Sequence, residues 1–199
     1  MRSHLIRTAV IGLALLCSAC SRSPRVNFYT LSPGAQADAP VPGQAPLAVA
    51  VGPVTLPEVV DRPQLVVRVA PNRVEILEAQ RWAEPLKSEI PRIIAENLGR
   101  QLGSSRVSSY GQSAGADAEY RVLVDIVRLE SVPGKAVTLE ANWTVRRAGS
   151  ARKRGRSLVQ EKVTGRGYEE LVAACSRALA GISGDMAKAI RAAAEGKAD

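Results

Sequence analysis

The chain has 199 residues, of which 46% are apolar, 23% charged and 4% aromatic, and its formal net charge is +8. This length suits one compact domain with tails, and the composition excludes a wholly disordered protein. So few aromatic side chains argue against a surface that binds nucleic acid by base stacking. The single histidine is His4. If the first segment is removed, no imidazole remains for base catalysis, a catalytic triad or a metal site.

Residues 1–19 are predicted to be a signal peptide. Arg2 and Arg7 bracket a short basic start, and residues 9–16 then form an uncharged apolar run. That run is far shorter than the roughly 20 apolar residues needed to span a bilayer, so it predicts export and not a membrane helix. Removal of this segment leaves 25 basic and 19 acidic residues, a balance of +6. Export excludes intracellular nucleic acid as a partner. The basic excess then serves anionic headgroups, lipopolysaccharide phosphates, an acidic protein face or solubility alone.

A lipid anchor is predicted at Cys20. The small residues Ser18 and Ala19 directly before it resemble the lipobox of bacterial lipoproteins, although Cys17 stands where that motif usually has leucine. The resemblance implies that the Cys20 thiol is acylated and becomes the first mature residue. Ser21 follows where lipoproteins of the inner membrane typically have aspartate, which implies the outer membrane, facing the periplasm. A soluble secreted protein is the alternative.

Residues 20–46 are predicted to be a tether, because five prolines and several glycines and alanines cannot bury a core. About 26 residues reach at most about 85 Å, so the domain is expected to stand off the membrane. Residues 26–31 interrupt the tether with the β-branched and aromatic character of a strand, and they include the chain's only phenylalanine, Phe28. The tether is therefore predicted to be pinned to the domain there.

Residues 47–193 are predicted to form a single domain, followed by a frayed tail over 194–199. Residues 47–54 form a short apolar run typical of a buried strand. Residues 65–69 and 74–77 are predicted to be a hairpin, since Pro71-Asn72 between them supplies turn chemistry.

Two amphipathic helices are predicted from apolar residues at three- and four-residue intervals. The first runs from Trp82 to Leu102 and ends at Gly103, with Pro91 expected to kink it. The second covers residues 168–190. Each helix has one apolar stripe, so each must pack against another layer.

The remaining strands follow a period of two. Residues 120–126 and 137–145 alternate apolar and polar, and Pro133-Gly134 predicts the turn between them. A third strand is predicted over residues 156–165, after a basic hairpin tip at 146–155. Since every element has a single apolar side to bury, the predicted fold class is α+β in two layers: a mostly antiparallel sheet with two main helices packed on one face.

Three strings stand in a specific order and spacing. The first is NFYTL (residues 27–31), the second combines VGPV (51–54), LP (56–57) and DRPQLV (61–66), and the third combines RWAEPL (81–86) and ENL (96–98). Together they resemble the ABC-type transport auxiliary lipoprotein family, the PqiC-like lipoproteins. The resemblance is densest over residues 20–102 and matches the second half by element order.

The resemblance implies a non-enzymatic outer-membrane lipoprotein that serves an MCE (mammalian cell entry) system, which moves lipids between membranes. The implied role is a docking or terminal component, with an MCE-domain periplasmic protein as partner. It also implies a small α+β fold like the N-terminal domain of TolB. By analogy only, it allows self-assembly into a homo-oligomer.

Four residues in the matched strings are candidates for partner binding: Asp61, Arg62, Arg81 and Trp82. Tryptophan and arginine are enriched among the anchors of protein interfaces. The structural alternative, which the sequence favours, places Trp82 in the core, pairs Arg81 with a carboxylate such as Glu84, and lets Asp61-Arg62 hold a loop.

A basic cluster holds six cations within eleven positions: Arg146, Arg147, Arg152, Lys153, Arg154 and Arg156. The plain interpretation is a solvated hairpin tip. The alternative is that Arg147, Arg152, Lys153 and Arg154 contact an anionic surface such as lipid headgroups or lipopolysaccharide, worth on the order of 1 kcal/mol per cation.

No catalytic residue, cofactor or metal site is predicted. Lys87 and Ser88 are adjacent on a helix and do not face each other, and the carboxylates form no metal pattern. Cys175 lies at helical spacing among apolar residues, so it is predicted to be a buried and unreactive thiol.

The rival function is a free-standing periplasmic carrier of lipid or lipopolysaccharide. A carrier needs a cavity that holds acyl chains. In a docking subunit, by contrast, Val122, Trp143 and Leu179 are expected to fill a solid core.

Overall fold

The computed structural model describes residues 25–34, 46–109, 117–147 and 152–196. The predicted signal peptide, Cys20 and the tether residues 35–45 lie outside the described residues. In chain order the elements are β1 (Asn27–Tyr29), β2 (Val49–Thr55), β3 (Gln64–Ala70), β4 (Arg73–Trp82), α1 (Leu86–Leu102), β5 (Val107–Ser109), β6 (Tyr120–Val132), β7 (Ala136–Arg147), β8 (Lys153–Lys162) and α2 (Tyr168–Ala194).

The strands form two sheets. The larger has the order β5-β2-β6-β7-β8, and the smaller has the order β1-β4-β3. Pairing is antiparallel within β6-β7-β8 and β3-β4, whereas β2 runs parallel to both its neighbours and β1 runs parallel to β4. Helix α1 packs over β2 and β5, and α2 packs over β6, β7 and β8. The two-layer α+β class is confirmed, although the described strands form two sheets and not one.

The alternation of the long strands decides which side is buried. In β6, Val122 and Val124 are fully buried, while Arg121 before them and Asp125 after them are exposed. The buried side faces α1 and α2, where it forms one continuous apolar core. The opposite side of the larger sheet, hereafter its outer face, has no helix over it in the described part of the chain.

The apolar spacing predicted that Trp82 starts a helix. In the structure, Trp82 is instead the last residue of β4. Its backbone N–H donates to the Pro63 carbonyl at 2.7 Å, and its neighbour in the sheet is Tyr29 of β1. The helix begins only at Leu86, because Pro85 takes the extended N-cap conformation. It continues through Pro91, and Gly103 ends it in the left-handed conformation, as predicted.

Two further differences concern the strands. The three residues of β5 were not predicted, since so short a segment carries no clear period. Strand β8 begins at Lys153, three residues earlier than predicted, and β7 extends to Arg147. Half of the predicted basic hairpin tip, residues 146–147 and 153–155, is therefore strand, and residues 148–151 lie outside the described part.

Candidate membrane and partner surfaces

Residues 25–34, here called the N-terminal strap, are fastened across both helices. Strand β1 pairs with the end of β4, and the chain then crosses the helical layer. The Ser32 backbone N–H donates to Ser176 Oγ of α2 at 3.1 Å, and that of Gly34 donates to Asn97 Oδ1 of α1 at 2.7 Å. The pinning predicted for residues 26–31 is thus confirmed and extends to Gly34. These residues are part of the domain, and they divide the predicted tether.

The carboxylate of Glu89 fastens the middle of the strap. Its side chain is fully buried on α1, where Oε1 accepts the Leu31 backbone N–H at 2.8 Å and the Thr30 hydroxyl. Arg92, one turn along the helix, places its guanidinium 3.5 Å from the same oxygen. A buried carboxylate is costly unless it is paired and hydrogen-bonded, so these donors make the strap and α1 depend on each other.

The loop before β3 positions Asp61 and Arg62 beside α1. Asp61 forms an ion pair with Lys87 in the first turn of that helix. The Arg62 backbone N–H donates to the Val60 carbonyl at 2.9 Å, while its buried Nε has no hydrogen-bond partner among the residues described. The ion pair between Asp61 and Lys87 therefore holds this loop against α1.

Arg81 and Trp82 end β4 with opposite exposures. Trp82 is 8% exposed and belongs to the core. The Arg81 guanidinium donates to the Glu78 carbonyl at 3.0 Å and lies 3.4 Å from the Glu78 carboxylate. Glu84 pairs instead with Arg92. The structure therefore places Asp61, Arg62, Arg81 and Trp82 around the start of α1, and partner contact by them stays a prediction.

Half of the basic cluster lies on the outer face of the larger sheet. Arg146, Arg154 and Arg156 are exposed at alternate positions on neighbouring strands, and Arg146 is paired in register with Arg121 of β6. Because side chains alternate between faces, these four point to the same side. Arg146 and Arg154 form no ion pair with a described residue.

Arg147 and Lys153 belong to the other side of the same strands. The Arg147 guanidinium lies 2.7 Å from the Glu119 carboxylate and 5.5 Å from the centre of the Tyr120 ring. Lys153 is half-buried, and Arg152 is exposed just before β8. The structure thus keeps the predicted cations near one end of the sheet but divides them between its two faces.

A buried carboxylate joins three strands beneath the outer face. Glu140 of β7 accepts hydrogen bonds from Arg156 Nε of β8 and from Arg128 Nη2 of β6, each at 2.8 Å. The hydrogen bonds from Arg156 and then from Arg128 hold the pKa of the Glu140 carboxyl below its ordinary value. Sequence reasoning missed Glu140 and Arg128, because their partnership depends on the strand register.

The interior beneath the helices is packed. Val122, Trp143 and Leu179 are at most 8% exposed, and the enclosed space beside Cys175 has a volume of about 10 Å³. Such a space has room for about one water molecule. Burial raises the pKa of the Cys175 thiol to about 11. The larger hollows, of about 410 and 230 Å³, are grooves open to solvent.

Neither described helix is both long and apolar enough to cross a bilayer. Across the described ranges, no three His, Cys, Asp or Glu side chains gather as a metal ion would require.

Comparison with known proteins identifies the fold and the kinship. The model of the family described as "ABC-type transport auxiliary lipoprotein component" matches residues 29–187. An uncharacterised protein of known crystal structure shares 20% identity and a TM-score of 0.66, over 83% of this chain and 99% of that one. A DUF330 protein from Xanthomonas campestris shares 16% identity and a TM-score of 0.62, over 80% and 92% of the two chains. None of the curated proteins matches.

Proposed function

This chain belongs to the ABC-type transport auxiliary lipoprotein family, and we propose that it is a non-enzymatic outer-membrane subunit of an MCE-type lipid-transport system. It would serve there as a docking or terminal component. The observation that carries the proposal is the extent of the family match, which runs from the N-terminal strap to the second helix. The match thus includes most of the N-terminal strap and begins nine residues after Cys20.

The packed interior supports a docking subunit over a lipid carrier. A binding site for acyl chains needs several hundred Å³ of enclosed space. The core beneath the helices leaves about 10 Å³ beside Cys175. Transport of lipid would therefore be done by the partner, and this subunit would fix that partner at the membrane.

The proposal assigns a role to each end of the molecule. Acylated Cys20 holds the protein in the periplasmic leaflet of the outer membrane, since several acyl chains at about 0.8 kcal/mol per buried methylene are effectively permanent. An MCE-domain periplasmic protein is the proposed partner. Its proposed contacts are Asp61, Arg62, Arg81 and Trp82, together with an acidic surface that would meet Arg147, Arg152, Lys153 and Arg154.

Acylation is tested by comparing Cys20→Ala with Cys17→Ala, a matched substitution three residues away. Cells fed an alkyne analogue of palmitate should label the wild type and Cys17→Ala but not Cys20→Ala. The labelled protein should fractionate with the outer membrane. Equal labelling of both variants, or fractionation with the inner membrane, would contradict the anchor.

The partner is tested by cross-linking in cells followed by affinity purification from solubilised envelopes. We expect an MCE-domain protein to be enriched with the wild type and depleted with Cys20→Ala, because an unanchored subunit is no longer fixed at the membrane. Purification of the acylated protein without any MCE-domain protein would reject the MCE role while leaving the anchor intact.

A further inference from the structure

Strand β1 presents apolar side chains to solvent close to the proposed anchor. Phe28, the chain's only phenylalanine, is 65% exposed, the largest exposure among the big apolar side chains of the described residues. Val26 is 40% exposed, and its position two residues earlier places it on the same side of the extended chain. Tyr29 and Leu31 point the other way and are buried. Packing within the domain therefore does not explain why positions 26 and 28 carry apolar side chains.

The connection between this strand and the proposed anchor is short. Only residues 21–26 separate Cys20 from Asn27, the first residue of β1. Seven Cα–Cα steps span at most about 25 Å, and a flexible chain of that length averages about 15 Å. The sequence-based expectation of up to about 85 Å fails here, because the strap is bonded to both helices.

We infer that Phe28 and Val26 insert into the interfacial region of the leaflet that holds the Cys20 acyl chains, so that the β1 end of the domain lies on the membrane. This inference rests on the proposed acylation of Cys20. Aromatic and apolar side chains beside cations are typical of surfaces that bind at a bilayer interface. Exposed Arg25, three residues before Phe28, supplies such a cation.

This contact fixes how the molecule stands on the membrane. Phe28 lines the groove beside β1 together with Glu169, which lies in the first turn of α2. The segment that leads into α2 is bound to the β6–β7 turn, because the Val163 N–H donates to the Lys135 carbonyl. Arg146 lies at the opposite end of β7, whose 12 residues extend about 40 Å. The basic end of the sheet is thus turned away from the anchoring leaflet, toward a periplasmic partner.

The test uses the full-length acylated protein, with the environment-sensitive fluorophore NBD attached at Phe28→Cys. The control is Leu158→Cys, because Leu158 is 62% exposed on the outer face of β8. Each protein is reconstituted into vesicles of phosphatidylethanolamine and phosphatidylglycerol, and mass spectrometry confirms the acyl chains. Nitroxides attached to the lipids should quench NBD at position 28 at least about three times as strongly as at position 158. The NBD emission should be blue-shifted at position 28 only.

Each outcome separates the inference from the proposed function. Acyl chains on the protein together with equal quenching at positions 28 and 158 would overturn the inference and leave the proposed function standing. Absence of acyl chains would reject both. Val26→Cys repeats the measurement at a second exposed site, so poor folding of one variant does not leave the question open.

Discussion

The fully buried carboxylate of Glu89 accepts the backbone N–H of Leu31 at 2.8 Å. This one hydrogen bond connects residues 58 positions apart and fastens the N-terminal strap to the helical layer. The strap leads directly to the proposed lipid anchor, so its attachment to α1 limits how far the domain can move from the membrane.

Glu89→Ala should lower the free energy of unfolding by about 2–4 kcal/mol, because it leaves the Leu31 N–H buried without an acceptor. Urea unfolding followed by tryptophan fluorescence measures the change. Glu96→Ala is the matched control, since Glu96 pairs with the same Arg92 at 3.2 Å but is 41% exposed. That control should change stability by less than about 0.5 kcal/mol. Equal losses in the two variants would mean that the strap bond contributes nothing.

Gly155→Ala should destabilise the domain by about 2 kcal/mol or more, since a Cβ at this position of β8 would collide with the Trp143 ring on β7. Gly184→Ala on α2 should stabilise it by about 0.5–1 kcal/mol, because its Cβ meets nothing nearer than Gln101 at 3.8 Å and alanine favours a helix. Thermal unfolding would show opposite shifts of Tm. A Tm of Gly155→Ala equal to or above that of the wild type would contradict the packing of Trp143 against Gly155.

The stability of the sheet should fall in acid partly through Glu140. Its pKa is held below the ordinary 4.5 by Arg156 and Arg128 in the folded protein. A depressed folded pKa adds stability above the unfolded pKa, and that stability is lost as the pH falls below about 4.5. Unfolding from pH 6 to pH 3 should therefore show a steeper loss for the wild type than for Glu140→Gln. Parallel curves would remove Glu140 as the cause.

Cys175 should resist alkylation in the folded protein. At pH 8 a thiol with a pKa of about 11 is ionised in about one molecule in a thousand, and this one is 3% exposed. In a Cys17→Ala, Cys20→Ala chain it is the single thiol. Iodoacetamide labelling followed by mass spectrometry should be at least about a hundredfold slower in buffer than in 6 M guanidinium. Comparable rates would show that the core opens readily.

The basic end of the sheet should serve the partner and not the anchor. Replacing Arg147, Arg152, Lys153 and Arg154 by glutamine should lower cross-linking to the MCE-domain protein by about tenfold, while the acylated protein stays bound to vesicles. Four exposed cations from other parts of the domain provide the control: Arg73, Lys135, Lys162 and Arg166. If both sets reduce cross-linking equally, the effect reflects net charge and not this surface.

The sequence alone predicted the elements whose signals are local. Alternation over residues 120–126 and 137–145 placed β6 and β7, and Pro133-Gly134 placed their turn. Gly103 ended α1 in the left-handed conformation that glycine permits. The same local signals predicted the strand-like start of the strap and the buried thiol at Cys175.

Only the tertiary structure decided which distant segments meet. Trp82 fits a helical period, yet pairing with β1 and β3 drew it into β4, because backbone hydrogen bonds to strands remote in sequence outweighed local spacing. The same holds for Glu89 under the strap and for Glu140 between two arginines, since each partnership depends on register and topology. Periodicity shows which side of an element is apolar. It carries no information about the neighbour that covers that side, and in this protein the neighbour determines where the strap runs.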